Sequence, residues 1–220
     1  MFIGHYGVSF AAKRVAPAVP LWILFVAVQL LDVLWAPFIL LGIEKVRIVP
    51  GITASSPLDL YYMPYTHSLL AAILWSLGSM LVYRRFAPQD LVRPAALVVA
   101  LAVFSHWLLD LVVHRPDLPL YDNTAKLGLG LWNVPAVAFA LEAVLLFGGM
   151  WLYFGTALVP QLRMVTFGLV MLAIQAYIFF GPLPVSDNAV AWTALASYGA
   201  FAAVVARLER PHRGPRPAAA

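Results

Sequence analysis

The chain has 220 residues, 63% hydrophobic and only 11% charged, with a formal net charge of +4. Soluble domains carry about a quarter charged residues, so this composition, with a mean hydropathy of +0.87, leaves an integral membrane protein as the class; the arginines are dispersed at segment ends, as membrane topology requires, which argues against a nucleic-acid partner. There is no cysteine, so disulfides and thiolate chemistry are excluded and any metal must be held by His, Asp, Glu or backbone oxygen.

The first stretch, "GHYGVSFAAKR" (4–14), is too short to cross a bilayer, which takes about 20 mostly apolar residues. It is either a flat interfacial helix or a half-crossing arm that carries His5 into the membrane. Full spans are expected near 18–42, 65–83, 92–113, 134–155, 158–181 and 188–207. These helices are apolar on all sides, so length and flanking charge define them, not periodicity. Between the first two spans, "GIEKVRIVP" (42–50) alternates like a strand. Ser56-Pro57 then reads as a helix cap with Pro at the first helical position, which puts Asp59 in the first turn of a short helix. The loop "HRPDLPLYDNTAKLGLGLWN" (114–133) is rich in Pro and Gly and is ordered only if something packs on it. Glu142 lies inside a span and needs a partner, with Lys126 and Arg115 as candidates. Trp132 is placed as an interfacial anchor, and Gly148-Gly149 permits close helix approach. The expected fold is an all-α polytopic bundle of about six spans plus the short N-terminal half-crossing helix, a single transmembrane domain over 1–208. Residues 209–220 form a disordered basic tail in which His212 has no role.

Lys and Arg set the orientation. With the 84–93 loop inside, the inner side holds Lys13, Arg14, Arg84, Arg85, Arg93, Arg163, Arg207, Arg210, Arg213 and Arg216; the outer side holds Lys45, Arg47, Arg115 and Lys126. That bias places the C-terminus in the cytoplasm and both long loops outside. At a rise of ~1.5 Å per residue, His106 lies roughly 20 Å above the inner surface, Asp32 roughly 22 Å, and His67 and Asp110 about 26 Å. Three helices therefore bring polar residues to one depth, in the outer half of the membrane. His5 joins them if its helix is the half-crossing arm. His106, Asp110 and His114 are spaced i, i+4, i+8 and share one helix face. Ionisable groups at such depth are costly in lipid and should face inward toward partners. Three histidines and two aspartates at matching depth suit one divalent ion, held by neutral imidazole and carboxylate, with Zn²⁺ the first expectation.

Several chemistries lack their residues. There is no H-E-x-x-H zinc motif, no G-x-S-x-G elbow and no phosphate loop. "HWLLD" ends like the membrane lipid phosphatases, but their basic and Ser-Gly-His motifs are missing. A different set does match in order: "GH" at 4–5, Asp32 late in an apolar run, "THS" at 66–68 and "SHWLLD" at 105–110. Over about residues 1–117 this resembles the bacterial inner-membrane family of metal-dependent hydrolases, LexA-regulated members included. The stretches "VHRPDLPL" (113–120) and "GLGLWN" (128–133) are similar to those of a second group of small membrane proteins. The resemblance implies an inner-membrane location and assigns His5, Asp32, His67, His106 and Asp110 as metal ligands. The chain departs from the family where Asp-x-Asp-His becomes "DVLW" (32–35) and where His-Arg-Gly becomes "YMP" (62–64), which puts a second metal in doubt.

The expectation is a membrane-embedded, metal-dependent hydrolase. Its substrate is an ester or phosphoester of a membrane lipid or lipid-linked molecule at the outer leaflet. His114 or Asp59 serves as general base. Two other classes stay open: an ion- or proton-coupled transporter using the same polar cluster, and a purely structural metal that clamps the N-terminal arm.

Overall fold

Without water in a bilayer core, backbone amides must pair internally, and a chain this apolar satisfies them by forming helices. The computed structural model describes residues 1–87, 92–155 and 161–209. Its elements run α1 (Gly4–Val15), α2 (Leu21–Val28), α3 (Leu30–Leu40), β1 (Lys45–Ile48), β2 (Leu58–Tyr62), α4 (Leu69–Phe86), α5 (Val92–Val113), α6 (Pro135–Phe154), α7 (Gln161–Phe180) and α8 (Asp187–Leu208). Among the described residues, α4 to α8 are each long and apolar enough to cross a membrane. The pair α2–α3 makes a sixth candidate, bent by 54° at Gln29. The expected all-α multi-pass bundle is what the chain forms. The expected first span is a broken one, and part of the 84–93 loop lies outside the described residues, as does the tail from residue 210 with His212. Glu209, assigned to the tail, belongs to the bundle: it pairs with Lys13 at 2.6 Å and accepts from the Leu21 amide.

The arm α1 lies against α6 and runs in the same direction. Gly4 meets Leu145, Gly7 meets Gly149, and Arg14 reaches the Leu152 carbonyl. A Cβ on Gly149 would overlap the Gly7 backbone, so close approach explains Gly149; Gly148 has open space around it. The arm packs chiefly on α6, and beyond it on α2 and α5. Its N-terminal amides are free, as in any helix, and Glu142 of α6 supplies the acceptor: Oε2 takes the amides of Phe2 (2.9 Å) and Gly4 (3.2 Å). The Gln175 side chain donates to Oε1 at 3.0 Å. Glu142 thus finds backbone and amide donors in place of Lys126 or Arg115.

Both long loops cap the same end of the bundle. β1 and β2 pair antiparallel, with Arg47 opposite Asp59, so Asp59 stands in a strand and not in a helical turn. Local Ser-Pro capping is overridden because β1 offers a ladder, and the Pro57 carbonyl already accepts from Val49. The 114–133 loop is ordered against this hairpin: Ser55 bonds the Trp132 carbonyl through both amide and hydroxyl, and Lys126 and Asn123 bond that of Tyr61. Carbonyls of Pro119 and Leu120 accept the first free amides of α4. Gly128 lies so close to the Arg115 backbone that a Cβ would collide, and Gly130 has φ +74°, which accounts for both glycines of "GLGLWN".

Candidate metal centre

At the capped end, four chain segments deliver polar groups to one point. His5 comes from the first turn of α1, Asp32 from the first turn of α3, His67 from just before α4, and His106 and Asp110 from α5. All but Asp32 are nearly or fully buried; its side chain is 17% exposed and reaches a cavity. Each residue of "THS" has a separate task. Ser68 caps α4, accepting from the Ala71 amide, and His67 turns inward from the position before the cap. Thr66 donates its hydroxyl to Glu44 Oε2 at 2.6 Å.

The outer ring nitrogens fix the tautomers. His67 Nδ1 lies 2.7 Å from Thr66 Oγ1, whose own proton is spent on Glu44, so Nδ1 carries hydrogen and donates. His106 Nδ1 donates to the Val28 carbonyl at 2.7 Å. That carbonyl is among the last of α2, where the break at Gln29 removes intrahelical donors. Gln29 in turn donates to the Phe2 carbonyl, tying the break to the arm. His114 Nδ1 donates to Asp117 Oδ1 at 2.8 Å. His67 and His106 therefore present bare Nε2 lone pairs inward, held by outer partners in the way metal-binding histidines are.

Those lone pairs face carboxylates. His106 Nε2 is 3.1 Å from Asp110 Oδ2 and 3.8 Å from Asp32 Oδ1; His67 Nε2 is 3.3 Å from Asp32 Oδ1 and 3.8 Å from Asp110 Oδ2. His114 Nε2 is 3.5 Å from Asp110 Oδ2. His106 Nε2 has no hydrogen-bond partner despite full burial. A bare nitrogen beside a bare carboxylate oxygen repels unless the ring takes a second proton or a metal ion lies between them. With ligands at 2.0–2.1 Å from zinc, the edge of a tetrahedral shell is about 3.3 Å, within the range of these separations. The residues therefore fit a divalent ion. They form two overlapping groups, His5–His106–Asp110 and Asp32–His67–His106, each with ligand atoms within 4.8 Å of one another. His5 stacks on His106 with ring centroids 3.9 Å apart, and its Nε2 meets the other oxygen of Asp110, Oδ1, at 3.2 Å. The Met1 amino group also reaches Oδ1, at 2.5 Å. Tyr198 donates to Asp32 Oδ2 at 2.7 Å.

The two candidate bases differ. His114 is packed against Trp132, with centroids 4.2 Å apart, so Trp132 is buried over the site and not an interfacial anchor. Burial pulls the His114 pKa down, but Asp110 and Asp117 more than offset this and hold it at about 9. Burial pushes the Glu44 carboxyl up, against the pull of His67 and its Thr66 and Tyr65 donors. Asp59 is clamped between Arg47, at 2.6 Å, and Arg115, and Arg115 also pairs with Asp117 at 3.3 Å. Asp59 thus braces the loops and does not border the cavity. That cavity, of about 570 Å³, is lined by Asp32, His67, Asp110 and His114 at its polar end. Glu44, Thr66 and Asp117 escaped sequence reasoning as partners of histidines. The adjacency of Thr66 to His67 and the i, i+3 spacing of Asp117 were the available signals.

Compared with protein-family models, with curated proteins and with solved structures, the chain matches none.

Proposed function

We propose that this protein is a membrane-embedded, metal-dependent hydrolase that cleaves an ester or phosphoester of a lipid-like substrate in the outer leaflet. One observation carries the proposal: Nε2 lone pairs of His67 and His106 converge with Asp32 and Asp110 at shell-edge distances, on the wall of a cavity. The resemblance of "GH", Asp32, "THS" and "SHWLLD" to the inner-membrane hydrolases supports the same conclusion. His67, His106, Asp32 and Asp110 would hold the ion, with His5 backing Asp110. A bound Zn²⁺ supplies Lewis acidity, polarising an ester or phosphoryl oxygen and making water acidic enough to attack near neutral pH. His114, anchored on Asp117 and bordering the cavity, is the side chain placed to move a proton to or from the reacting oxygen. Thr66 and Glu44 keep the His67 ring in the ligating tautomer.

The test is metal analysis of purified protein in nanodiscs, followed by product analysis of lipid extracts treated with metal-loaded and chelated protein. Loaded protein should release products that chelated protein and His67→Ala do not. Metal-loaded protein that hydrolyses nothing overturns the proposal. If proteoliposomes instead move ions, and Asp32→Asn stops the movement, the cluster belongs to a transporter.

A further inference from the structure

The cavity does not end at the polar cluster. It continues between α7 and α8, two helices adjacent in sequence that barely touch: α7 packs on α6, and α8 on α2 and α3. On α8 the lining residues Val190, Thr193, Ala194 and Ser197 recur at i, i+3, i+4, i+7 and so share one face of the first half of the helix. On α7 the facing residues include Ile174 and Ile178. Ile178 is 49% exposed and Thr193 is exposed too, so the space opens sideways between the end of α7 and the start of α8, both candidate spans. A water-soluble substrate would gain nothing from such walls. An amphiphile matches both ends, polar at Asp32 and His67 and apolar along the slot.

Resting on the hydrolase proposal above, we infer that the slot between α7 and α8 is a lateral binding site for one acyl chain of a membrane ester lipid, which enters from the bilayer and lays its head group against the metal cluster. Thr193 and Ala194 of α8 and Ile174 and Ile178 of α7 form the chain-binding walls. The small side chains on α8 leave the room, because bulkier residues there would fill the slot.

The absence of cysteine gives a clean test. The full chain carrying Thr193→Cys is reconstituted in phosphatidylglycerol vesicles doped with a phospholipid bearing a diazirine midway along one acyl chain. Irradiation and peptide mapping should place adducts on Ile174, Ile178 and Ala194. Attaching a hexadecyl chain to Cys at 193 after folding should abolish those adducts and leave metal content unchanged, whereas a methyl group should not. Adducts confined to outward residues such as Trp192 and Leu169, indifferent to the hexadecyl plug, overturn the inference. Cross-linking needs no turnover, so the two failures separate. A labelled slot in a protein that hydrolyses nothing keeps the lipid site and removes the hydrolase. Lipid hydrolysis with an unlabelled slot removes the lateral site alone.

Discussion

Thr66 shows how much a single hydroxyl decides. It accepts from His67 Nδ1 and donates to Glu44, and this leaves Nε2 bare and able to ligate. Outer partners of this kind typically contribute 10–100-fold to metal affinity. Thr66→Val should therefore weaken binding by about that factor while Thr66→Ser retains it, as measured by competition with a chelating dye. His67→Ala and His106→Ala each remove an inward-facing nitrogen and should leave purified protein without stoichiometric metal. His114 and Asp59 divide by the same logic. His114→Gln should keep the metal yet slow turnover by roughly 10²–10⁴-fold, the usual contribution of a general acid or base. Asp59→Asn should leave turnover per folded molecule unchanged, because its carboxylate serves Arg47 and Arg115. Equal losses from both variants would remove the distinction.

At the scale of elements, the arm α1 depends on two glycines. Gly7 and Gly149 let two backbones touch, and His5 is carried to Asp110 only if they do. Gly149→Ala forces the helices apart; overpacking of this kind costs about 1–3 kcal/mol, or roughly 2–4 °C of Tm per kcal/mol in a chain of this size. Gly148→Ala meets open space and removes a poor helix former, so it should be neutral or stabilising by up to about 1 kcal/mol. Thermal unfolding of the two neighbours in detergent gives the contrast; matching Tm values would show that α1 does not need the contact. The bend at Gln29 is a second element-scale device. A continuous α2–α3 helix would use the Val28 carbonyl internally and leave His106 Nδ1 without its acceptor.

For the whole molecule, alternation of the spans puts the hairpin, the 114–133 loop and the α7–α8 turn at one end. Lys13, Arg14, Arg84, Arg85 and Arg207 lie at the other. The positive-inside rule predicts that this second end is the cytoplasmic one. Single cysteines at the exposed positions Ala54 and Arg85 should therefore differ: an impermeant maleimide should label Ala54→Cys on intact cells, and Arg85→Cys only after permeabilisation. The reverse pattern would move the polar cluster to the inner half of the membrane.

Much of this was legible without coordinates. Span lengths, the charge bias, the strand-like "KVRI" and the common depth of His67, His106, Asp32 and Asp110 follow from composition and a fixed rise per residue, which are local properties of a helical chain. His5 was legible only as one of two arrangements, because a short apolar helix suits an interface as well as a half crossing; contact with α6 decided it. Local signals put Asp59 in a helix because its strand partner lies in β1, and they offer Glu142 cationic partners because nothing local announces that the arm's free amides reach it. The tertiary structure alone settled which carbonyl, hydroxyl or carboxylate anchors each histidine, and it alone left α7 and α8 apart. Helices apolar on every side carry no periodicity to say which face meets which neighbour, so the contacts that set tautomers and open the slot are products of packing.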